Sequence, residues 1–136
     1  MPTTPSIEHP PADPARRWRL AWWLWFWVLF ALSSIPGHRL IGPRPFDWFD
    51  KVEHFGFFFL GGLLLGGSIV SAGRWPARWW LLPLAAAVVG AFDETHQLFT
   101  PGRSGLDWGD WVADVAGGTV AAVAVQVFYR WRRAPR

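Results

Sequence analysis

The chain has 136 residues, of which 51% are apolar, and it carries a formal net charge of +3. This length fits a single domain. The absence of cysteine excludes disulfides, thiolate chemistry and cysteine-based metal sites.

Four apolar runs organise the sequence, at residues 18–35, 55–72, 79–92 and 115–128. Each run can extend by a turn into its polar flanks and so approach the roughly 20 residues that span a bilayer. Arg16, Arg17 and Arg19 would also fit the start of a signal peptide, but no Ala-x-Ala-like cleavage site follows. The sequence therefore predicts an all-α fold, a transmembrane four-helix bundle at residues 18–131. We expect the lipid bilayer, and no nucleic acid, as its partner.

The charged residues indicate how this bundle is oriented. Most arginines precede the first run, lie in the link 73–78 or follow the fourth run. Beyond the N-terminal tail, all acidic residues lie towards the opposite ends of the runs. Because basic residues favour the cytoplasmic side, we expect a multi-pass protein of the cell membrane with both termini in the cytoplasm. The proline-rich residues 1–17 would form a disordered cytoplasmic tail, and residues 132–136 a basic one.

Tryptophans should mark the two membrane interfaces. Those expected at the inner interface are Trp18, Trp75, Trp79, Trp80 and Trp131, and those expected at the outer interface are Trp48, Trp108 and Trp111.

Polar residues gather at the outer ends of the last three predicted helices. Ionisable side chains inside a bilayer usually face one another or a cavity, so we expect these residues to converge. The candidates for this polar site are Asp50, Lys51 and His54 on the second helix, Asp93, Glu94, His96 and Gln97 on the third, Arg103 in the next turn, and Asp110 and Asp114 on the fourth. Lys51 is the single lysine of the chain, which indicates a pairing with a carboxylate of another helix.

Small residues predict close packing of the helices. Gly62 and Gly66 form a GxxxG pair, and Gly117 and Gly118 begin a small-residue strip on the fourth helix. Such residues let helix backbones approach each other. The pattern fits contacts within one chain and contacts between chains equally well, so it leaves the oligomeric state open.

The spacing of these motifs resembles the VanZ-like family over about residues 22–128. The motifs are Asp50-Lys51-x-x-His54-Phe55, Asp93-Glu94-x-x-Gln97, Pro101-Gly102-Arg103-Ser104 and Asp110-x-x-x-Asp114-x-x-Gly117. The resemblance implies a small polytopic bacterial membrane protein. The family takes its name from a protein associated with low-level resistance to the glycopeptide teicoplanin, so an effect on glycopeptide susceptibility is expected. The resemblance implies no settled reaction and no catalytic residue.

Three functions remain open at this point. In the first, the outer polar site binds or helps modify a component of the cell envelope, and Arg103 meets a lipid-linked or anionic ligand. In the second, the polar residues form an interhelical network in a structural membrane scaffold. This second interpretation is favoured for Glu53, Thr95 and Asp107 individually.

The third function is a membrane-embedded acid–base or metal-dependent hydrolase or transferase. His54, His96 and the carboxylates are suitable zinc ligands, but the histidine pair four residues apart that marks helix-borne metalloproteases is missing. We therefore assign no metal site and no cofactor from the sequence.

Overall fold

A computed structural model describes residues 13–39, 46 and 48–134 of the chain. Within these residues it contains four α-helices and no strand, which confirms the all-α prediction. The helices are α1 (Arg16–Ser33), α2 (Phe49–Ser71), α3 (Leu81–Gln97) and α4 (Trp108–Arg133), and a short 3-10 helix spans Gly37–Arg39. Residues 1–12 of the predicted N-terminal tail and residues 135–136 of the C-terminal tail lie outside the described residues.

Two of the four helices are long and apolar enough to cross a membrane. These are α2, with 23 residues, and α4, with 26. Helix α1 has 18 residues and opens with three arginines in four positions, and α3 has 17 residues and ends with Asp93 and Glu94 in its last turns. Large apolar side chains such as Leu60, Val123 and Val127 lie exposed on the outside of α2 and α4. This surface is consistent with contact with a lipid bilayer.

Helix α4 packs closely against both α2 and α3 because it carries glycines on two adjacent faces. A Cβ atom at Gly117 would overlap the carbonyl oxygen of Phe55 on α2. A Cβ atom at Gly118 would lie 2.5 Å from the Cβ of Ala86 on α3. The backbones of three helices therefore approach within a distance that any side chain would prevent.

The GxxxG pair of α2 contributes to the same interface. A Cβ atom at Gly62 would lie 2.5 Å from the Cβ of Ala121, and one at Gly66 would lie 2.7 Å from a methyl group of Val125. Both partners belong to α4, so these predicted packing residues serve contacts within one chain.

Tryptophan side chains connect α1 and the link between α2 and α3 to the packed helices. Trp25 of α1 lies against Gly61 of α2, and its indole N–H donates a hydrogen bond of 2.9 Å to the carbonyl of Phe57. Trp75, expected at the inner interface, is instead 4% exposed. Its indole donates to Gln126 at 2.7 Å, so this tryptophan fastens the α2–α3 link to α4. Six other tryptophans that we expected at the interfaces are not buried: Trp18, Trp79, Trp80, Trp131, Trp48 and Trp108.

We expect Gly117→Ala to destabilise the fold, because the added methyl group must displace the α2 backbone. Overpacking of this kind typically costs ~1–3 kcal/mol. Gly56→Ala is the matched control, because nothing lies within 4 Å of a Cβ at that helical position. Thermal unfolding of the detergent-solubilised protein, followed by tryptophan fluorescence, should show a lower Tm for the first variant alone. Equal Tm values would contradict the close α2–α4 approach.

Candidate functional site

Buried polar side chains gather where four helix ends meet: the carboxyl ends of α1 and α3 and the amino ends of α2 and α4. They are Ser33, Asp93, Glu94, Gln97, Thr100, Asp110 and Asp114. The last turns of α1 and α3 and the first turns of α2 and α4 lie side by side because the helices alternate in direction. This arrangement makes the sequence-predicted polar residues neighbours.

His54 and Asp114 form the central pair of the site. The Nδ1 of His54 lies 2.9 Å from Oδ1 of Asp114, whose side chain is fully buried. The two helices can come this close because Gly117 lies one turn further along α4. The pocket for Asp114 also needs Gly90, since a Cβ there would lie 2.6 Å from Oδ2 of Asp114.

Lys51 pairs with carboxylates of α4 and its cap, as the sequence indicated. Its Nζ lies 2.7 Å from Oδ1 of Asp110 and 3.4 Å from Oδ2 of Asp107. Asp50 lies 3.6 Å away on the same helix as Lys51. One ammonium group is therefore shared among three carboxylates, which offsets their mutual repulsion.

Asp107 is the N-cap of α4. Its carboxylate accepts hydrogen bonds from the backbone N–H groups of Gly109 at 2.7 Å and Asp110 at 3.3 Å. Partial burial acts to raise the pKa of Asp107, but these two bonds and the Lys51 ammonium outweigh it, so the pKa lies below its ordinary value. The backbone N–H of Asp107 also donates to Oε2 of Glu94 at 2.7 Å, which ties α3 to the start of α4.

Asp93 is the centre of a second chain of contacts. It accepts hydrogen bonds from the hydroxyl of Ser33 on α1 and, at 2.8 Å, from the amide of Gln97. The amide oxygen of Gln97 in turn accepts a 3.1 Å hydrogen bond from Nε of Arg103. These contacts orient Asp93 from both sides and link α1, α3 and the following turn.

His96, a predicted member of the site, has different partners. Its Nε2 lies 3.0 Å from the hydroxyl of Ser34, and its ring stacks on Phe30 with centroids 4.5 Å apart. It thus joins α3 to α1 beside the cluster rather than inside it.

A cavity of about 880 Å³ opens next to these side chains. Its polar part is formed by Ser33, Asp50, Glu53, His54, Asp93, Gln97, Arg103, Ser104 and Asp110. Its apolar part lies between α1 and α2 and is formed by Leu29, Leu32, Phe49, Val52, Phe57 and Phe58. The two parts give the cavity an amphiphilic lining.

Two buried oxygen atoms of the site have no hydrogen-bond partner among the described residues. They are Oε1 of Glu94 and Oδ2 of Asp114. Glu94 is only 2% exposed, so water does not readily take the place of a partner. Ligand atoms of His54, Asp93 and Glu94 also lie within 4.8 Å of one another, close enough for all three to hold one metal ion.

Ser33 and Gly90 were not anticipated from the sequence. Ser33 belongs to the segment Ser33-Ser34-Ile35-Pro36-Gly37, and this composition is typical of a helix end. Gly90 looked like one more small residue of a membrane helix. The one available signal was that both lie at the same predicted depth as the acidic residues.

We expect Asp107→Ala to lower stability, because the side chain acts as a helix cap. Loss of an N-cap costs ~1 kcal/mol. Asp107→Asn should retain most of the stability, since an asparagine oxygen also accepts hydrogen bonds from the backbone N–H groups. Thermal unfolding of both variants tests this, and equal destabilisation by Asn and Ala would contradict the capping role.

Comparison with protein families places this arrangement in context. A family model described as VanZ/LLP1 matches residues 18–129, which include most of each helix and every charged residue of the polar cluster. Neither the comparison with curated proteins nor the one with solved structures gave a match. Because the family model covers most of the sequence, the chain belongs to the VanZ/LLP1 family, the VanZ-like family that its motifs resemble.

Proposed function

We propose that this chain is a multi-pass membrane protein whose cavity faces outward and binds an amphiphilic component of the cell envelope. The observation that carries this proposal is the lining of the cavity, polar on one part and apolar on the other. Such a lining matches a molecule with a polar head group and a hydrocarbon chain.

Arg103 is the residue best suited to an anionic head group. Its Nε donates to Gln97, while its two terminal nitrogens have no hydrogen bond to the residues that the structure describes. A guanidinium group with two such nitrogens can donate a bidentate pair of hydrogen bonds to a phosphate. The bond to Gln97 holds the side chain in place at the cavity wall, which lowers the entropy lost on binding.

Carboxylates elsewhere in the cavity complement this cation. Glu53 and Asp110 both line it, and carboxylates accept hydrogen bonds from hydroxyl or ammonium groups. A head group that carries a phosphate together with hydroxyl or amino groups would therefore satisfy both kinds of lining residue. Lipid-linked saccharides and amino phospholipids share this chemistry.

The apolar part of the cavity offers a place for the hydrocarbon chain. Leu29 and Phe57 lie on its wall, and Leu32 and Val52 line it while remaining exposed at 45% and 42%. In a bilayer these exposed side chains would meet lipid. The gap between α1 and α2 would then admit a chain sideways from the membrane.

The interhelical-network function is the main competitor, because the same residues also connect the four helices. The two functions separate at residues that line the cavity without joining the network. Leu32 is such a residue, since it has no polar group and lies on the exposed side of α1.

We expect Leu32→Trp to block the apolar part of the cavity. Arg103→Gln should weaken head-group binding by about tenfold or more, since a hydrogen bond to a charged group contributes ~1.5–3 kcal/mol. Lipids that copurify with the protein from mild detergent would be quantified by mass spectrometry. Leu24→Trp, at a position 66% exposed on α1, and Arg130→Gln, at the far end of α4, are the matched controls. Cells expressing the same set would be compared for teicoplanin susceptibility.

The outcome of this comparison distinguishes the functions. For Leu32→Trp, which lies outside the network, loss of bound lipid with an unchanged Tm supports the binding site. Equal lipid content in all variants would rule out the cavity as the binding site, and a Tm that falls in step with lipid content would favour the structural scaffold.

The topology that we propose has all four helices in the bilayer and both termini in the cytoplasm. It is supported by the arginines at one end of the helices and the carboxylates at the other. The chain has no native cysteine, so single cysteines report on single positions.

On intact cells, an impermeant thiol reagent should label Ser104→Cys, which lies in the exposed turn after α3, but not Ala77→Cys, which lies in the exposed link before α3. Cell lysis should make Ala77→Cys reactive and serves as the control for accessibility. Labelling of Ala77→Cys before lysis would contradict the orientation.

A further inference from the structure

We propose that His54, Asp93 and Glu94 form a binding site for a divalent transition-metal ion in the wall of the cavity. This site goes beyond the envelope-binding function and does not depend on it. The geometric basis is that one ligand atom from each residue lies within 4.8 Å of the other two. A metal ion bound tetrahedrally at ~2.0–2.2 Å would hold its ligands roughly 3.3–3.6 Å apart, so the side chains would close around it by about 1 Å.

The His54 ring lies between two carboxylates, and its Nε2 lies 3.8 Å from Oδ2 of Asp110. Its Nδ1 lies 2.9 Å from the buried carboxylate of Asp114, so the N–H is expected on Nδ1 and the lone pair on Nε2. Histidines that bind metals usually donate their other ring N–H to a carboxylate or carbonyl, which fixes the ring and raises its basicity. Asp114 therefore acts as a positioning residue for His54.

The carboxylates of Asp93 and Glu94 are also oriented by hydrogen bonds. Asp93 accepts hydrogen bonds from Ser33 and Gln97, and Glu94 accepts one at Oε2 from the backbone of Asp107. Each of these oxygens keeps a further lone pair. The other oxygen of Glu94, Oε1, is buried and has no partner among the described residues, and a cation would supply one.

The excess negative charge of the cluster also favours a bound cation. Four carboxylates are buried together, those of Asp93, Glu94, Asp110 and Asp114. Lys51 contacts only Asp110 of these four, and Arg103 reaches Asp93 only through Gln97. Buried charges are costly unless they are paired or coordinate a metal. A proton on His54 would neutralise one of the charges, whereas a divalent ion would neutralise two.

The donor set indicates which ions fit. One imidazole and two carboxylates suit Zn²⁺, and the oxygen-rich surroundings also allow Mn²⁺. His54, Asp93 and Asp110 line the cavity, so coordination positions on that side would be open to water or a ligand. Three protein ligands with an open position are typical of a metal site that contacts a substrate.

The test uses the full chain in detergent, purified through a tag without histidine and stripped with a chelator. Dialysis against Zn²⁺ followed by elemental analysis should show about one ion per chain, and Co²⁺ should give visible d–d absorption bands. His54→Gln and Glu94→Gln should weaken binding at least about tenfold, because even the loss of an outer-shell partner costs ~10–100-fold. His96→Gln and Asp13→Asn, the second at an exposed carboxylate before α1 that pairs with Arg19, are the matched controls and should bind as the wild type does.

Glu94→Gln also guards against a folding artefact, because the amide keeps the shape of the side chain and removes a buried charge. Size-exclusion profiles and Tm without metal should match those of the wild type or improve, while the rise in Tm on adding Zn²⁺ should disappear. No ion on the wild type at micromolar Zn²⁺ would overturn the proposal in favour of a proton-neutralised cluster. Undiminished binding in both site variants, or equal loss in the controls, would overturn it as well.

Discussion

The close approach of α2 and α4 is the constraint on which the site depends. The backbone of Phe55 lies against Gly117, and Gly62 lies against Ala121, so the two helices meet along their length with little side chain between them. At the polar end of this contact His54 reaches Asp114. A bulkier residue at either glycine would push the helices apart and weaken the contact between the buried carboxylate and its histidine partner.

From this contact, two chains of polar side chains extend towards the other elements. One passes through Asp110 to Lys51, and the other joins Ser33, Asp93 and Gln97 to Arg103. Both chains lie beside His54, Asp93 and Glu94, three side chains with ligand atoms within 4.8 Å of one another. The proposed ligand recognition would therefore use residues that also stabilise the fold, which is why variants outside the network are needed to separate the two.

The position of the cavity follows from the way α1 packs, which differs from the packing of the other three helices. Helices α2, α3 and α4 are held together by glycine and alanine contacts, whereas α1 is held by large aromatic rings such as Trp25. Towards the polar end Leu29 and Leu32 face the first turns of α2 across open space. This space lies beside the carboxylates, so a head group in the cavity would lie next to the proposed metal site.

The sequence by itself determined the all-α fold and the polar end of the bundle, because beyond the N-terminal tail the acidic residues flank the apolar runs only there and must find partners. The pairing of Lys51 with another helix followed from the same reasoning. Tertiary structure decided what depends on helix rotation and contact: Asp114 rather than Asp110 pairs with Nδ1 of His54, and His96 turns towards Ser34. It also decided that Trp75 is buried and that Ser33 serves Asp93, because a neighbouring helix, not the local sequence, supplies those partners.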